Sequence, residues 1–447
     1  MKPITLREIA DACGGTLFGD PEITVTSIVT DSRKATEGSL FAAIRGARAD
    51  GHRFIPMTAE QGAVCTLCEE APEIDMPYIL TQSTLVALKG IAEYYRSLFT
   101  IPFIGVTGSV GKTSTKELIS SVLSQKYNVH KTAGNFNNEL GVPLTLFGLE
   151  ESHEAAVIEM GISGFGEMTR LSKMVRPDIS VITNIGCCHL ENLGDRDGVL
   201  QAKTEMFTYL QPNGRIILCH DDDKLRTVTD HRGIRPIFYG TGAAVEYRAD
   251  NIEELLLDGV RCTLHHGDSA IDVTIPAMGR HNVLNALCAM AVGKQLGLTD
   301  DEIKRGIESF RNVGSRNNII RTRGMIVIDD CYNANPTSTK AGIDTLSNFG
   351  GRRVALLGDM KELGANGPAL HREVGAYAAD KGIDLLIAVG ELSRETAEGF
   401  GSGAVHFDAV EDCIAGIADL LKEGDAVLVK ASHSMHFEKI VDALKEE

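Results

Sequence analysis

The stretch from Phe103 to Leu118, FIGVTGSVGKTSTKEL, decides the reading of the fold. A run rich in β-branched and aromatic residues enters a glycine-bearing turn and leaves into a helix that begins at Lys112 or Thr113. Strand, turn and helix in that order read as a phosphate-binding loop. Gly108 and Gly111 let backbone N–H groups converge on phosphate oxygens, the helix start adds its partial positive charge, Lys112 neutralises the terminal phosphates, and the Thr113 hydroxyl is placed to ligate Mg²⁺. The eight-residue form of the motif has glycine at position 106, where this chain has Val106, so the loop is a shorter GxxGKT variant.

Outward from this loop the pattern alternates strand and helix. AAVIEMG (155–161), DISVITNIG (178–186), GRIILCHDDD (214–223) and RPIFYG (235–240) are strands of a parallel, doubly wound sheet. Between Val245 and Ile275 short β segments break the alternation and predict an antiparallel meander. The helix HNVLNALCAMAVGKQLG (281–297) then follows, with Leu284, Leu287, Cys288 and Ala291 on one face. After Gly314 the strands MIVIDDC, RRVALLGDM, DLLIAVGE and DAVLVKAS, separated by three helical patterns, predict a second, smaller open sheet of Rossmann-like type. Before Thr81 the β-like runs ITVTSIVT and SLFAAI indicate a small mixed α/β unit. From Thr84 the residues Leu85, Leu88, Ala92, Tyr95 and Phe99 recur at helical spacing. The expected organisation is therefore α/β in three domains, residues 1–82, 83–313 and 314–447.

Composition bounds the function. The 447 residues are 43 % hydrophobic and 23 % charged, with material for about three cores, and 44 basic against 61 acidic residues give −17. That balance disfavours a broad grip on nucleic acid or an anionic membrane, so any phosphate site is local. No apolar run reaches a membrane-spanning length and the first residues lack signal-peptide order, so a cytoplasmic protein with no membrane insertion is expected. The ten scattered cysteines read as reduced thiols. Cys65 and Cys68 form a CxxC without a second pair nearby and read as part of a short strand.

In open α/β sheets ligands bind beyond the carboxyl ends of the strands, and here those ends are polar. Glu159 closes one, Asn184 precedes His189 after another, and Asp329 and Asp330 close a third. A carboxylate and an imidazole beside a bound triphosphate suit Mg²⁺ ligation, although Mg²⁺ prefers oxygen. Asn282 and Asn285 at a helix start either cap it or present amides to an adenine edge. Asp359 and Lys430, also at strand ends, are either surface charges or groups facing a nucleotide.

The order of TDSRKATEGSLFAAIRGARADGHRFI, TGSVGKTSTKE, NFNNELGVPLTL, IEMGISGFGEM, TNIGCCHLENLG, AKTEMF, IDDCYNANPTS, LLGDMKELG and LVKASHSMHFEKIV resembles the ATP-dependent Mur ligases over essentially the whole chain. The resemblance implies a first domain for a uridine nucleotide, a second for ATP, and a third that closes over both. It implies amide formation through an acyl phosphate, joining D-alanyl-D-alanine to UDP-N-acetylmuramoyl-tripeptide in peptidoglycan precursor synthesis. A sibling ligase of the folylpolyglutamate type or a non-catalytic nucleotide switch is the alternative. By the same resemblance Gly108, Ser109, Gly111, Lys112, Thr113 and Ser114 would hold ATP phosphates. Thr113, Glu159, His189 and a carbamylated Lys203 would hold two Mg²⁺ ions. Asn282 and Asn285 would meet adenine, Asp330 ribose, and Arg316 phosphate. Asp31, Ser32, Arg33, Arg45, Gly46, Asn137 and Asn138 would hold the substrate, in a monomer. Two departures stand out: Ala431 and His433 replace a usual Gly and Arg, and Arg316 lies in GSRNNII rather than in a Gly-Arg dipeptide.

Overall fold

The strand Phe103–Thr107 is buried at every position and pairs in parallel with Ile179–Ile182 on one side and Ala155–Glu159 on the other. It is the strand at which the chain reverses its direction of growth across the sheet. In an open sheet that point opens a crevice at the carboxyl ends. The computed structural model describes residues 1–46, 49–242, 245–312 and 314–445. Its largest sheet has nine strands. From one edge to the other they are Ser269–Ile275, Val260–His266, Tyr247–Glu254, Ile237–Gly240, Arg215–Cys219, Ile179–Ile182, Phe103–Thr107, Ala155–Glu159 and Val129–Lys131.

The meander expected between Val245 and Ile275 is present and antiparallel, but it is not a separate ribbon. Tyr247–Glu254 pairs in parallel with Ile237–Gly240, so the meander extends the central sheet and makes it mixed. The edge strand Val129–Lys131 was not foreseen: three half-exposed residues carry no apolar run to read. The helix His281–Gln295 buries far more than the one face read from sequence, because it packs on the loop helix Lys112–Leu123 and on the sheet together.

Among the described residues, the first unit's larger sheet has five strands, in the order Thr16–Phe18, Tyr78–Leu80, Cys65–Cys68, Ser39–Ala42 and Ser27–Val29, all parallel except the first, and Ile4–Thr5 pairs antiparallel with Thr24–Val25 beside it. The CxxC is structural. Cys65–Cys68 is a buried strand, all ten cysteines are free, and burial pushes the Cys68 thiol up to about 11. The helix Thr84–Ser97 begins at a Ser83 cap. It buries Ala87, Leu88, Ile91, Ala92 and Tyr95, whereas Leu85 is 39 % exposed, a correction to the stripe read from sequence. At 100° per residue Leu85 falls about a quarter-turn from the centre of that face. Arg96 ties the helix to the central unit by donating to the carbonyls of Val175 and Arg176 and lying 3.8 Å over the Phe103 ring.

The third unit is a six-stranded sheet ordered Asn318–Thr322, Met325–Asp329, Ala426–Lys430, Arg353–Gly358, Leu385–Val389 and Ala404–Phe407, parallel except for the first strand. Sequence reading found the four inner strands. The two edge strands, Asn318–Thr322 and Ala404–Phe407, are only partly buried and carry a weak apolar signal. Among the described residues five α-helices, not three, surround this sheet: Pro336–Ser347, Gly367–Asp380, Ser393–Phe400, Val410–Leu420 and Glu438–Lys445. One continuous core runs through the first and central units, while the third unit has a separate core on each face of its sheet. Met278 of the central unit lies inside one of these.

Candidate active site

A cleft of about 590 Å³ opens at the carboxyl end of Phe103–Thr107, within the range of small-molecule sites. Its walls come from two units. Ser109 to Ser114, Asn137, Asn138, Glu159, His189, Asn282 and Asn285 line the central side, and Arg316, Asp330 and Lys430 line the other.

The loop is braced from the neighbouring strand. Ser109 N–H donates to the Asn184 carbonyl and Val110 N–H to Asn184 Oδ1, each at 3.0 Å, while Thr183 Oγ1 and Asn184 Nδ2 donate to the Val110 carbonyl. Two of the loop's N–H groups are therefore already engaged. The groups left for phosphate are those of the first turn of the helix Lys112–Leu123, which intrahelical bonding leaves free. Gly108 does not line the cleft but is required beneath it. Its φ is +153°, and a Cβ there would lie 1.9 Å from Thr183 Oγ1. Gly108→Ala is expected to displace the loop at a cost on the order of 2 kcal/mol and to weaken ADP binding at least tenfold in a titration. Wild-type affinity in that variant would contradict this account of the loop.

Lys112 Nζ donates to the Gly108 carbonyl at 2.9 Å, folded back over its own loop. Thr113 Oγ1 donates to Glu159 Oε2 at 2.9 Å, and Asn137 Nδ2 donates to Oε1 of the same carboxylate at 2.8 Å. The hydroxyl and the carboxylate are hard oxygen donors of the kind Mg²⁺ takes. Behind them lies a residue that sequence reading missed. Lys116 is 1 % exposed, donates to the Thr132 carbonyl at 2.7 Å, and lies 3.1 Å from Glu117 Oε1 and 3.9 Å from Glu159 Oε2. Thr132 Oγ1 in turn accepts from Glu159 N–H. Nothing in TSTKEL marks this lysine for burial.

His189 lines the cleft in a left-handed conformation, φ 52°, with Nδ1 2.6 Å from Glu362 Oε2 of the third unit. The ring holds the Glu362 carboxyl below the usual carboxylate range. Lys203 does not open onto the cleft. It is 1 % exposed on the helix Arg196–Thr204, and burial pulls its ammonium down to about 8, with Lys112 acting in the same direction and Cys188 against it. Among the described residues its Nζ makes no hydrogen bond or ion pair.

The capping alternative for the two asparagines does not hold, since Arg280 occupies the cap position. Instead Thr115 Oγ1 donates to Asn285 Oδ1, Asn285 Nδ2 to Asn282 Oδ1, and Asn282 Nδ2 to the Met278 carbonyl, a buried relay on the cleft wall. Asn138 spends its side-chain oxygen on the N–H groups of Leu140 and Gly141. On the third unit, Arg316 lies 3.9 Å over the Tyr332 ring, which rests near His433, and Lys430 pairs with Asp330 at 2.5 Å. Asp359 lies outside the cleft, held by Ser393 and Lys361.

The first-unit residues are not brought to this cleft. Asp31, Ser32, Arg33, Arg45 and Gly46 follow the parallel strands Ser27–Val29 and Ser39–Ala42 at their carboxyl ends, an edge of their own. Arg33 holds the Asp31 carboxyl at about 2, and Arg45 is surrounded by Glu70, Asp50 and Glu69.

Three family descriptions match the chain: Mur ligase family, catalytic domain, over residues 24–98, Mur ligase middle domain over 106–293, and Mur ligase, glutamate ligase domain, over 315–433. The UDP-N-acetylmuramoyl-tripeptide–D-alanyl-D-alanine ligase of Bacillus subtilis strain 168 is 36 % identical over 99 % of this chain and 98 % of its own length. The Escherichia coli K12 protein of the same name is 36 % identical over 100 % and 99 %. Among solved structures, MurF from Acinetobacter baumannii superposes with a TM-score of 0.94 at 31 % identity over the whole of both chains. MurF ligase from Thermotoga maritima in complex with ADP gives 0.84 at 30 %, over 94 % of this chain and 96 % of that one. Family matches in all three units, together with full-length likeness in sequence and in fold, make this chain a member of the Mur ligase family.

Proposed function

We propose that this chain joins D-alanyl-D-alanine to UDP-N-acetylmuramoyl-tripeptide, using ATP. The observation that carries the reading is the convergence of Lys112, Thr113, Glu159 and His189 with Arg316, Asp330 and Lys430 in one cleft between two units. An amide does not form readily from a carboxylate in water, so the carboxylate is first activated. Its oxygen attacks the terminal phosphorus of ATP, the bond from that phosphorus to the ADP oxygen breaks, and an acyl phosphate results. The dipeptide amine then attacks the acyl carbon, loses a proton, and expels phosphate.

In this reaction Lys112 and the N–H groups of the helix start bind the transferred phosphoryl group, and Arg316, steadied by Tyr332, approaches from the third unit. Closure of that unit excludes water from the acyl phosphate. Thr113, Glu159 and His189 would hold two Mg²⁺ ions together with Lys203 as a carbamate. These ions supply charge neutralisation between two anions. Lys203 fits that role because its amine has no polar partner among the described residues and is partly neutral near pH 7. Asn282, Asn285 and Asp330 take the nucleoside, while Asn137, Asn138 and the edge carrying Asp31, Ser32, Arg33, Arg45 and Gly46 take the uridine substrate. With divisions at 82/83 and 313/314, each of these tasks is shared between the central unit and one neighbour. Use of ATP and ten free cysteines support a cytoplasmic setting. No helix among the described residues is long and apolar enough to cross a membrane.

The test is ADP formation with UDP-N-acetylmuramoyl-tripeptide, measured with and without D-alanyl-D-alanine. Sustained turnover is expected only with both substrates, and equal turnover without the dipeptide would refute the ligase reading.

A further inference from the structure

Two non-glycine residues with left-handed backbone meet between the central and third units: His189 at φ 52° and Glu362 at φ 64°. Nδ1 of the imidazole lies 2.6 Å from Oε2 of the carboxylate, a close contact between the two side chains that is not aligned as a hydrogen bond. The loop that carries Glu362 is fixed on its own unit. Met360 N–H donates to His371 Nε2, Lys361 N–H donates to Ser432 Oγ, and Lys361 Nζ reaches Asp359. Beside it Gly364 packs on the chain just past His189, where a Cβ would stand 3.4 Å from Glu191 Cα. A second close approach joins Gly186 to Thr337, with a Cβ on the glycine 2.9 Å from the threonine Oγ1. The 186–191 segment is thus pressed from the third unit at several points, and Glu362 is the charged one.

We infer that Glu362 is a positioning residue that orients His189 through Nδ1 and leaves Nε2 for a divalent cation, so that docking of the third unit completes the cation site. A metal-binding histidine commonly engages a carboxylate or carbonyl through its other ring nitrogen, which sets ring orientation and basicity. The Glu362 side chain is 58 % exposed, and exposed ion pairs add little to stability, so removing it leaves the fold in place. The inference rests on His189 being a cation ligand, as proposed above.

The experiment titrates the full chain, saturated with ADP, with Mn²⁺ followed by paramagnetic resonance. Wild type is compared with Glu362→Ala, Glu362→Gln, His189→Ala and the His189→Ala/Glu362→Ala double variant. Glu362→Ala is expected to weaken Mn²⁺ binding about tenfold, and Glu362→Gln less, since the amide oxygen retains an acceptor. ADP affinity in the presence of a chelator stays unchanged. The double variant binds Mn²⁺ no more weakly than His189→Ala alone. If His189→Ala weakens Mn²⁺ binding and Glu362→Ala stays within twofold of wild type, Glu362 has no positioning role. Losses that add in full in the double variant would likewise overturn that role, since the two residues would then act independently. If His189→Ala itself leaves Mn²⁺ binding unchanged, the ligand reading of His189 fails, and the inference with it.

Discussion

Replacing Lys203 by alanine is expected to lower kcat by about 10²–10³-fold while ADP affinity stays within about twofold of wild type. An unpaired ammonium in a dry interior is unfavourable, and the side chain responds by releasing its proton more readily. With the ammonium drawn down to about 8, roughly a tenth of the amine is neutral at pH 7 and half at about pH 8. Carbon dioxide adds only to the neutral amine, so the sign of the pH effect is fixed: labelling rises with pH through about 8 and falls below it. Carbon-13 NMR of the protein in labelled bicarbonate is expected to show a carbamate signal that Lys203→Ala abolishes. Acetate or formate, small enough to occupy the vacated space, is expected to restore part of the variant's turnover. Undiminished turnover in Lys203→Ala, or a labelling profile that falls as pH rises, contradicts the assignment.

Lys112→Met is expected to reduce kcat/KM for ATP on the order of 10³-fold with little change in Tm. Methionine keeps the unbranched stem and removes the charge, so the loop's packing survives. The hydrogen bond lost, from Nζ to the Gly108 carbonyl, is partly exposed and local. In the reaction the same ammonium exchanges that carbonyl for phosphate oxygens, where charge grows as the phosphoryl group transfers. The loss therefore falls on the transition state and appears in single-turnover ADP formation. If Lys112→Met instead lowers Tm by many degrees and leaves the rate per folded molecule intact, the lysine is structural.

The legible part of the site lies where one chemical task needs neighbouring residues. Gly108, Gly111, Lys112 and Thr113 had to be contiguous for a backbone turn to wrap a phosphate, and polar Glu159 and Asp330 closing apolar strands drew notice for the same reason. Lys203 carries no such mark. On a helix reading RDGVLQAKT it is an ordinary lysine, and only resemblance singled it out. Lys116, Glu362 and Tyr332 escaped altogether, because their partners lie far along the chain or depend on burial. Arg45 shows the converse: a residue that resemblance gave to the substrate stands in the structure among three carboxylates.

By itself the sequence determined the α/β class in three units, the strand, glycine-bearing turn and helix of residues 103–118, and the buried inner strands, since each depends on the local periodicity of apolar and glycine residues. Only the tertiary structure decided that the meander joins the central sheet, that Leu85 faces outward, and that both asparagines are tied into a relay rather than capping a helix. It also decided that Lys203 is buried with no polar partner among the described residues, and that Glu362 of the third unit reaches His189. Those outcomes depend on which surfaces exclude water from one another and which charges meet across long stretches of chain, and neither is written in the spacing of residues along it.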